Sequence, residues 1–244
     1  SSWPIYNGAV GMTYEQASPR ALVLRKSDGS LMTYGDGVTH HFAAALQTMV
    51  TAARNREKIL RDYLAFRQDG IRGSDRGPTE YVLTSHDPGM TERLARNLVQ
   101  NGIEVFHASG PVRMGTRTLP AEGTYVVPLT QPASRLARML LDRDVPMDEA
   151  FLRRQRELRA QREDHEIYDV TAWSQSLLWD VEVVQADRAT GARGEPVAWE
   201  VLARPRPLPP AKVAYLLPWG TNAAAAVAQA LREGVRVRSA GGDF

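Results

Sequence analysis

One carboxylate stands where a short strand would deliver it. Residues 11–14 (GMTY) read as a β-strand, and Glu15 follows at its C-terminal end. A strand that ends in an acidic side chain can place a general base at a cleft, where the carboxylate takes a proton from an attacking water. An ordinary strand-end carboxylate has the same pattern. The five histidines are the other residues with chemistry to offer. His40 and His41 are adjacent in a helical pattern, so their side chains point about 100° apart and make a poor chelate. A solvated or core-edge pair is the plainer reading. His86 and His107 fall near strand ends, and His165 lies in a charged segment. No H-x-x-E occurs, the spacing that would set two ligands on one helical face. Cysteine is absent, which excludes disulfides, thiolate metal sites and cysteine nucleophiles.

Other residues carry weaker signals. Trp173, Trp179 and Trp219 could line a carbohydrate- or peptide-binding surface, although buried packing explains them as well or better. Gly241-Gly242 lacks the spacing of a phosphate loop, and Asp169 near Trp173 reads as a turn or cap. Residues 151–166 are rich in Arg with balancing acids, as in a solvated helix or an excursion rather than a binding arm. A net charge of only +2, with no basic stripe interleaved with aromatics, argues against nucleic acid as a partner. No apolar run approaches the ~20 residues of a membrane helix, so no membrane partner is expected.

The elements that would position these residues follow from pattern. Two short apolar runs, residues 21–25 and 31–34, flank the turn Ser27-Asp28-Gly29-Ser30 and make a β-hairpin. Asp36 fits an N-cap. From there to about Gln68 an apolar stripe recurs at helical spacing through Val38, Phe42, Leu46, Met49, Ala53, Leu60 and Tyr63, which predicts one long helix. Residues 70–78 (GIRGSDRGP) read as a linker. Three segments are thus expected: 1–69, the linker 70–78 and an α/β domain over 79–244.

Within the last, residues 81–84, 90–101 and 103–107 read as a β-α-β unit with Gly102 as C-cap, hence a parallel strand pair. A strand over 125–129 and a helix over 131–141 follow. Residues 168–178 read as another ordered segment, and further strands are expected at 181–184 and 199–202. After a Pro-rich stretch (203–210), residues 213–217, 223–233 and 235–238 read as a second β-α-β unit, capped by Thr221 or Asn222 and ended by Gly234. The opening SSWPIYNG lacks a Met and a signal peptide, and the chain stops just after a strand-like run, so a piece of a longer protein is expected.

The stretch from Ser2 to Tyr34 with the later NREKILRDY, together with residues 123–141, 167–183 and 213–238, resembles the M14 zinc carboxypeptidases. It is most similar to the bacterial branch in which a class I glutamine-amidotransferase-like domain follows the peptidase. The resemblance implies an α/β fold: the C-terminal part of the peptidase domain in 1–69, then a flavodoxin-like domain with a mostly parallel sheet in 79–244, truncated at its end. It implies a hydrolase that cleaves a peptide or amide bond, with peptide as substrate, zinc as cofactor and export in bacteria. In that family a T-x-E strand end carries the glutamate that deprotonates the zinc-bound water. Thr13-Tyr14-Glu15 matches it, which makes Glu15 the catalytic residue. The family's zinc ligands lie upstream of that glutamate, and no His precedes Glu15 in this chain. Zinc therefore belongs to the parent protein, and this fragment alone is expected to be inactive and metal-free. Without Cys the amidotransferase reaction has no nucleophile. The rival expectation is a non-catalytic α/β module that binds a peptide or glycan.

Overall fold

The computed structural model describes residues 2–15, 22–73, 77–143, 147–166, 174–198, 210–217 and 219–239. The chain divides into two compact units, Ser1–Asp69 and Gly70–Phe244.

The first unit opens with α1 (Ser2–Tyr6). Strands β1 (Val23–Arg25) and β2 (Leu31–Thr33) form the expected antiparallel hairpin. Asp28 shapes its turn: one carboxylate oxygen accepts from the Ser30 N–H at 2.9 Å and the Ser30 hydroxyl at 2.6 Å. Those bonds hold the Asp28 carboxyl below the ordinary carboxylate range. Helix α2 (Tyr34–Arg54) starts before Asp36, which occupies its third position. Thr33, not Asp36, is the N-cap. Its hydroxyl accepts from the Asp36 N–H at 3.2 Å, and the Asp36 carboxylate accepts from the Thr33 N–H at 2.8 Å. This reciprocal box satisfies two helix-end donors at once.

The single long helix expected to Gln68 is two. Helix α2 ends at Asn55, and α3 (Arg56–Arg72) follows at once. Asn55 leaves helical geometry at φ −105°, and its amide Nδ2 donates to the Thr51 carbonyl at 2.8 Å. A short amide side chain that competes for backbone acceptors disfavours an unbroken helix, and apolar periodicity does not register that competition. Among the described residues of this unit only Gly37 is buried.

The second unit is built on a five-stranded sheet in the order β8-β3-β7-β4-β9. Its strands are β3 (Glu80–Thr84), β4 (Phe106–Ala108), β7 (Tyr125–Pro128), β8 (Glu182–Ala186) and β9 (Arg193–Pro196). Every neighbouring pair is antiparallel. The mostly parallel, flavodoxin-like sheet is therefore corrected, although the coarser expectation of a mixed helix-and-sheet fold holds. β3, the helix α4 (Pro88–Gln100) and β4 do follow one another as read. Both strands run antiparallel to β7, so they share a direction, but β7 lies between them. The unit is a split β-α-β. A β-α-β pattern in sequence fixes strand direction without fixing adjacency.

Strands expected at 213–217 and 235–238 do not form. Both stretches lack regular structure and are exposed, with Val213 97% and Leu216 76% accessible. The edge position falls instead to β9, whose RGEP sequence gives no strand signal. The expected strand at 199–202 and residues 167–173 lie outside the described residues. Helix α8 (Thr221–Arg232) is N-capped by Gly220, with no side-chain cap. After α4 the Gly102 N–H reaches the Val99 carbonyl and the Ile103 N–H the Leu98 carbonyl, at 2.9 and 3.1 Å, while Gly102 sits at φ 80°. That is a Schellman end, which needs a left-handed residue after the cap.

The sheet is covered on both faces. Val82, Val126 and Val184 face the hairpin of β5 (Val112–Met114) and β6 (Arg117–Leu119), which adds Val112 and Leu119 to one buried cluster. Arg117 clasps both oxygens of Glu182 at 2.6 and 2.9 Å, tying the hairpin to β8. Tyr81, Leu83, Tyr125 and Val127 alternate onto the other face. There the Tyr81 hydroxyl donates to Asp142, which follows α5 (Ser134–Leu141). Burial, then Asp142, pushes the Tyr81 phenol well above its ordinary value. Burial, then the nearby Glu92 of α4, pushes Tyr125 up to about 12. Helices α6 (Glu149–Gln161) and α7 (Gln175–Leu178) complete the unit.

Two polar side chains are structural keystones. Gln131 is buried and spans the end of β7: its Nε2 donates to the Pro128 and Glu104 carbonyls at 2.6 and 3.0 Å, and its Oε1 accepts from Glu104 N–H at 2.7 Å. It bonds the chain just before β4 begins, extending the link between β7 and that strand. Glu80 is fully buried on β3. Its carboxylate accepts from Arg193 Nε at 2.7 Å, and from the Thr190 N–H and hydroxyl at 2.9 and 2.8 Å. Replacing Glu80 by Gln keeps its shape but removes the charge and part of its acceptor capacity. The expected loss is about 2–3 kcal/mol. Urea unfolding followed by far-UV circular dichroism should give a lower midpoint with an unchanged slope.

Candidate functional site

Glu15 is exposed, and residues 9–15 have no regular secondary structure. The strand expected at 11–14 is therefore corrected: β1 and β2 pair only with each other, and a lone extended run has no ladder to join. The segment is instead held by backbone bonds at its start and by side-chain contacts further on. The Gly8 and Ala9 N–H groups reach the carbonyls of Ile5 and Pro4, each at 2.9 Å. A Cβ on Gly11 would sit 2.4 Å from Ile5 Cγ1, and one on Gly8 2.9 Å from Phe66 Cδ1, so both contacts need glycine. At Tyr14 the phenol oxygen lies 2.5 Å from Thr48 Oγ1 of α2, and Thr48 Oγ1 donates to the Ala44 carbonyl at 2.7 Å. The Tyr14 hydroxyl also lies 3.3 Å from Met12 Sδ, so its one proton is shared between that thioether and Thr48 Oγ1. Three points on α1, α3 and α2 thus fix the approach to Glu15.

The second unit carries an open cleft of about 490 Å³, lined by His86, Asp87, Met90, Asp180, Trp219 and Gly220 among others. It lies where β3 gives way to α4, beside the N-terminus of α8. Asp87 caps α4: its Oδ1 accepts from the Gly89 N–H at 3.0 Å. The following Pro88 takes the first helical position, where its missing N–H costs nothing. This Asp-Pro pair was a legible helix start, two residues before the one expected. Asp180 adopts a left-handed backbone, φ 51°, and its carbonyl accepts from the Ser85 hydroxyl at 3.0 Å. Its carboxylate lies 3.9 Å from His86 Nδ1. Trp219 is 74% exposed beside these groups, which corrects the buried reading of that residue.

The other candidates scatter. His40 and His41 are both exposed on α2. His107 lies on β4 with its ring 5.1 Å from that of Tyr125. His165 is exposed beyond α6. Trp179 is half-buried and donates from Nε1 to Gln175 Oε1 at 2.8 Å. Asp169, Trp173, Gly241 and Gly242 lie outside the described residues. No three His, Asp or Glu gather as a metal site among the described residues. The described residues therefore offer no set of ligands that fits zinc. No helix of the described residues is long and apolar enough to cross a membrane.

The chain matches no family model, no curated protein and no solved structure.

The cleft's shape depends on Gly220. A Cβ there would lie 2.6 Å from Asp87 Oδ2, a carboxylate already held by the cap of α4. Its φ is −161°, which any residue adopts, so the constraint is steric alone. Replacing Gly220 by Ala should cost about 1–3 kcal/mol, as overpacking does. The expected readouts are a lower melting temperature and a changed Trp219 emission maximum. An unchanged spectrum and melting temperature would count against the close approach.

Proposed function

We propose that the chain is part of a zinc metallocarboxypeptidase-like hydrolase in which Glu15 is the general base. The observation that carries this reading is the first unit itself. It has a capped helix, a closed hairpin and a pinned segment bearing Glu15, yet no described hydrophobic side chain in it is buried. Trp3, Leu22, Leu31, Tyr34, Phe42, Met49 and Leu60 are each more than half exposed. Large apolar side chains left open on one compact unit mark a surface that another part of a protein covers. A peptidase domain supplied by further chain fits that requirement, and the ordered resemblance of residues 2–34 to such a domain names it.

In this reading the metal's ligands belong to the rest of the parent, where zinc would polarise the scissile carbonyl and acidify water. Glu15 takes a proton from the attacking water and passes it to the leaving amine. The substrate is a peptide bond near a C-terminus, or an amide in a cell-wall peptide. Residues 1–244 alone are inactive. The antiparallel sheet of the second unit does not support a flavodoxin-like, amidotransferase-like assignment.

The Trp219 cleft favours a second reading, a non-catalytic module that binds a peptide or glycan against an exposed indole. Metal analysis of the full-length protein separates the two: stoichiometric zinc supports the hydrolase, and its absence supports the module. In the zinc-loaded protein, replacing Glu15 by Gln should lower kcat at least a hundredfold, within the ~10²–10⁴ that general acid–base help contributes, while zinc stays bound. Near-normal turnover would remove Glu15 from the mechanism.

A further inference from the structure

The cleft of the second unit has chemistry that the hydrolase reading does not use. We propose that it receives a basic peptide side chain, the ammonium of a lysine or the guanidinium of an arginine, between the Trp219 indole and the Asp180 carboxylate. This rests on the reading of the cleft as a peptide-binding site and involves neither Glu15 nor a metal.

Charge selects the ligand. Among the described residues that line the cleft, Asp87 and Asp180 are carboxylates and none is Lys or Arg. The start of α8 would by itself favour an anion, because its N–H groups lack partners within the helix. Asp87 already fills that role. Its Oδ1 caps α4, and its Oδ2 lies against Gly220, where α8 begins. Asp180 is not committed in this way. Its side chain is exposed, and His86 Nδ1 at 3.9 Å is too far for a hydrogen bond. Its backbone is nonetheless fixed: the Ser85 hydroxyl, just past β3, donates to the Asp180 carbonyl at 3.0 Å. The carboxylate therefore stays at the cleft whichever rotamer it takes. Trp219 supplies the second half of the site. An exposed indole face attracts a cation placed within about 6 Å of its ring centre. The methylenes of a lysine or arginine would lie along the indole and Met90, with the charge left wet beside Asp180. A neutral sugar can stack on an indole too, yet it brings no charge to answer Asp180.

The test titrates the chain of residues 1–244 with blocked peptides Gly-Ala-Xaa-Ala-Gly, in which Xaa is Lys, Arg or norleucine, and with cellotriose as a neutral sugar. The reporters are two nuclear magnetic resonance signals, the Trp219 indole N–H, assigned by its loss in Trp219→Leu, and the Met90 methyl. The lysine or the arginine peptide should shift both saturably, with a dissociation constant in the millimolar range, as one exposed cation–π contact and one surface ion pair support. Norleucine keeps the stem and drops the charge, and should bind roughly fivefold more weakly or not at all. Asp180→Asn, which suits the same left-handed backbone, and Trp219→Leu, followed at Met90, should each weaken the charged peptides about three- to fivefold at unchanged melting temperature. Equal binding of norleucine would make the cleft a plain apolar groove and overturn the proposal. So would unchanged affinity in Asp180→Asn. Cellotriose that binds as tightly as the charged peptides would mark a glycan site, overturning the proposal while the module reading stands. No saturable shift with any probe overturns both. None of these outcomes depends on zinc, so the hydrolase reading stands or falls separately. Should Trp219→Leu fail to fold, Asp180→Asn and the norleucine peptide decide between the same outcomes.

Discussion

A buried carboxylate on the central part of the sheet organises the second unit. Glu80 is fully enclosed on β3, with its lone pairs directed at Arg193 and Thr190. Burial of an unpaired carboxylate would cost several kcal/mol, so the chain between β8 and β9 has to come to Glu80. That requirement carries β9 from the far side of β8 to the opposite edge of the sheet, where it pairs with β4. The Val82–Val126–Val184 row then closes under Ala192 and the β5–β6 hairpin. Polar pairing fixes the path of the chain, and apolar burial stabilises what that path encloses. Each fully buried Val or Leu in the sheet contributes roughly 1.5–3 kcal/mol, and those on β3 and β7 reach that limit.

The first unit has the opposite balance. Its order is local: the Thr33–Asp36 box, the Asp28 turn, i,i+4 pairs such as Lys58–Asp62 at 2.5 Å, and close glycine contacts. Surface pairs of that kind contribute at most about 1 kcal/mol each. With no hydrophobic side chain fully buried among its described residues, the sum stays small against the entropy of ordering a chain of this length. The apolar stripe on α2 is real as periodicity, yet Phe42 and Met49 on it are open to solvent. A helix earns most of its stability from packing such a face, so the stripe implies a cover.

Sequence made some of this legible, and physics explains the rest. Helix α4 was readable because caps are local: Asp87, Pro88 and Gly102 act within a few residues of where they stand. The hairpin was readable for the same reason. Sheet topology was not, because β7 enters between β3 and β4 through non-local pairings, those with β3 joining residues as far apart as Glu80 and Pro128, and no local signal encodes them. β9 was missed since its residues have no apolar alternation and its place is set by Arg193 meeting Glu80. Residues 213–217 misled in the other direction. Their apolar run has the composition of a buried strand, but composition supplies no neighbour. Around Glu15 the carboxylate itself was legible as T-x-E, while Thr48 was not, because a helix-surface threonine carries no mark of the phenol it meets.

The separation between core and candidate site has a mechanistic consequence. All buried hydrophobic side chains among the described residues belong to Gly70–Phe244, whereas Glu15, Tyr14 and Thr48 belong to Ser1–Asp69. A substitution at any of these three removes no cavity-forming atoms from a packed interior, so the large-to-small penalty that dominates core mutants does not arise. What remains is geometry. An irregular segment can hold its backbone as firmly as a strand does only when other contacts supply the constraints a ladder would. Here, beyond the backbone bonds at its start, they are two glycine contacts and one phenol–hydroxyl bond. A strand spreads its restraint over many backbone bonds and tolerates the loss of one. A segment with three pins does not, so each pin must matter more than the energy of its single contact suggests.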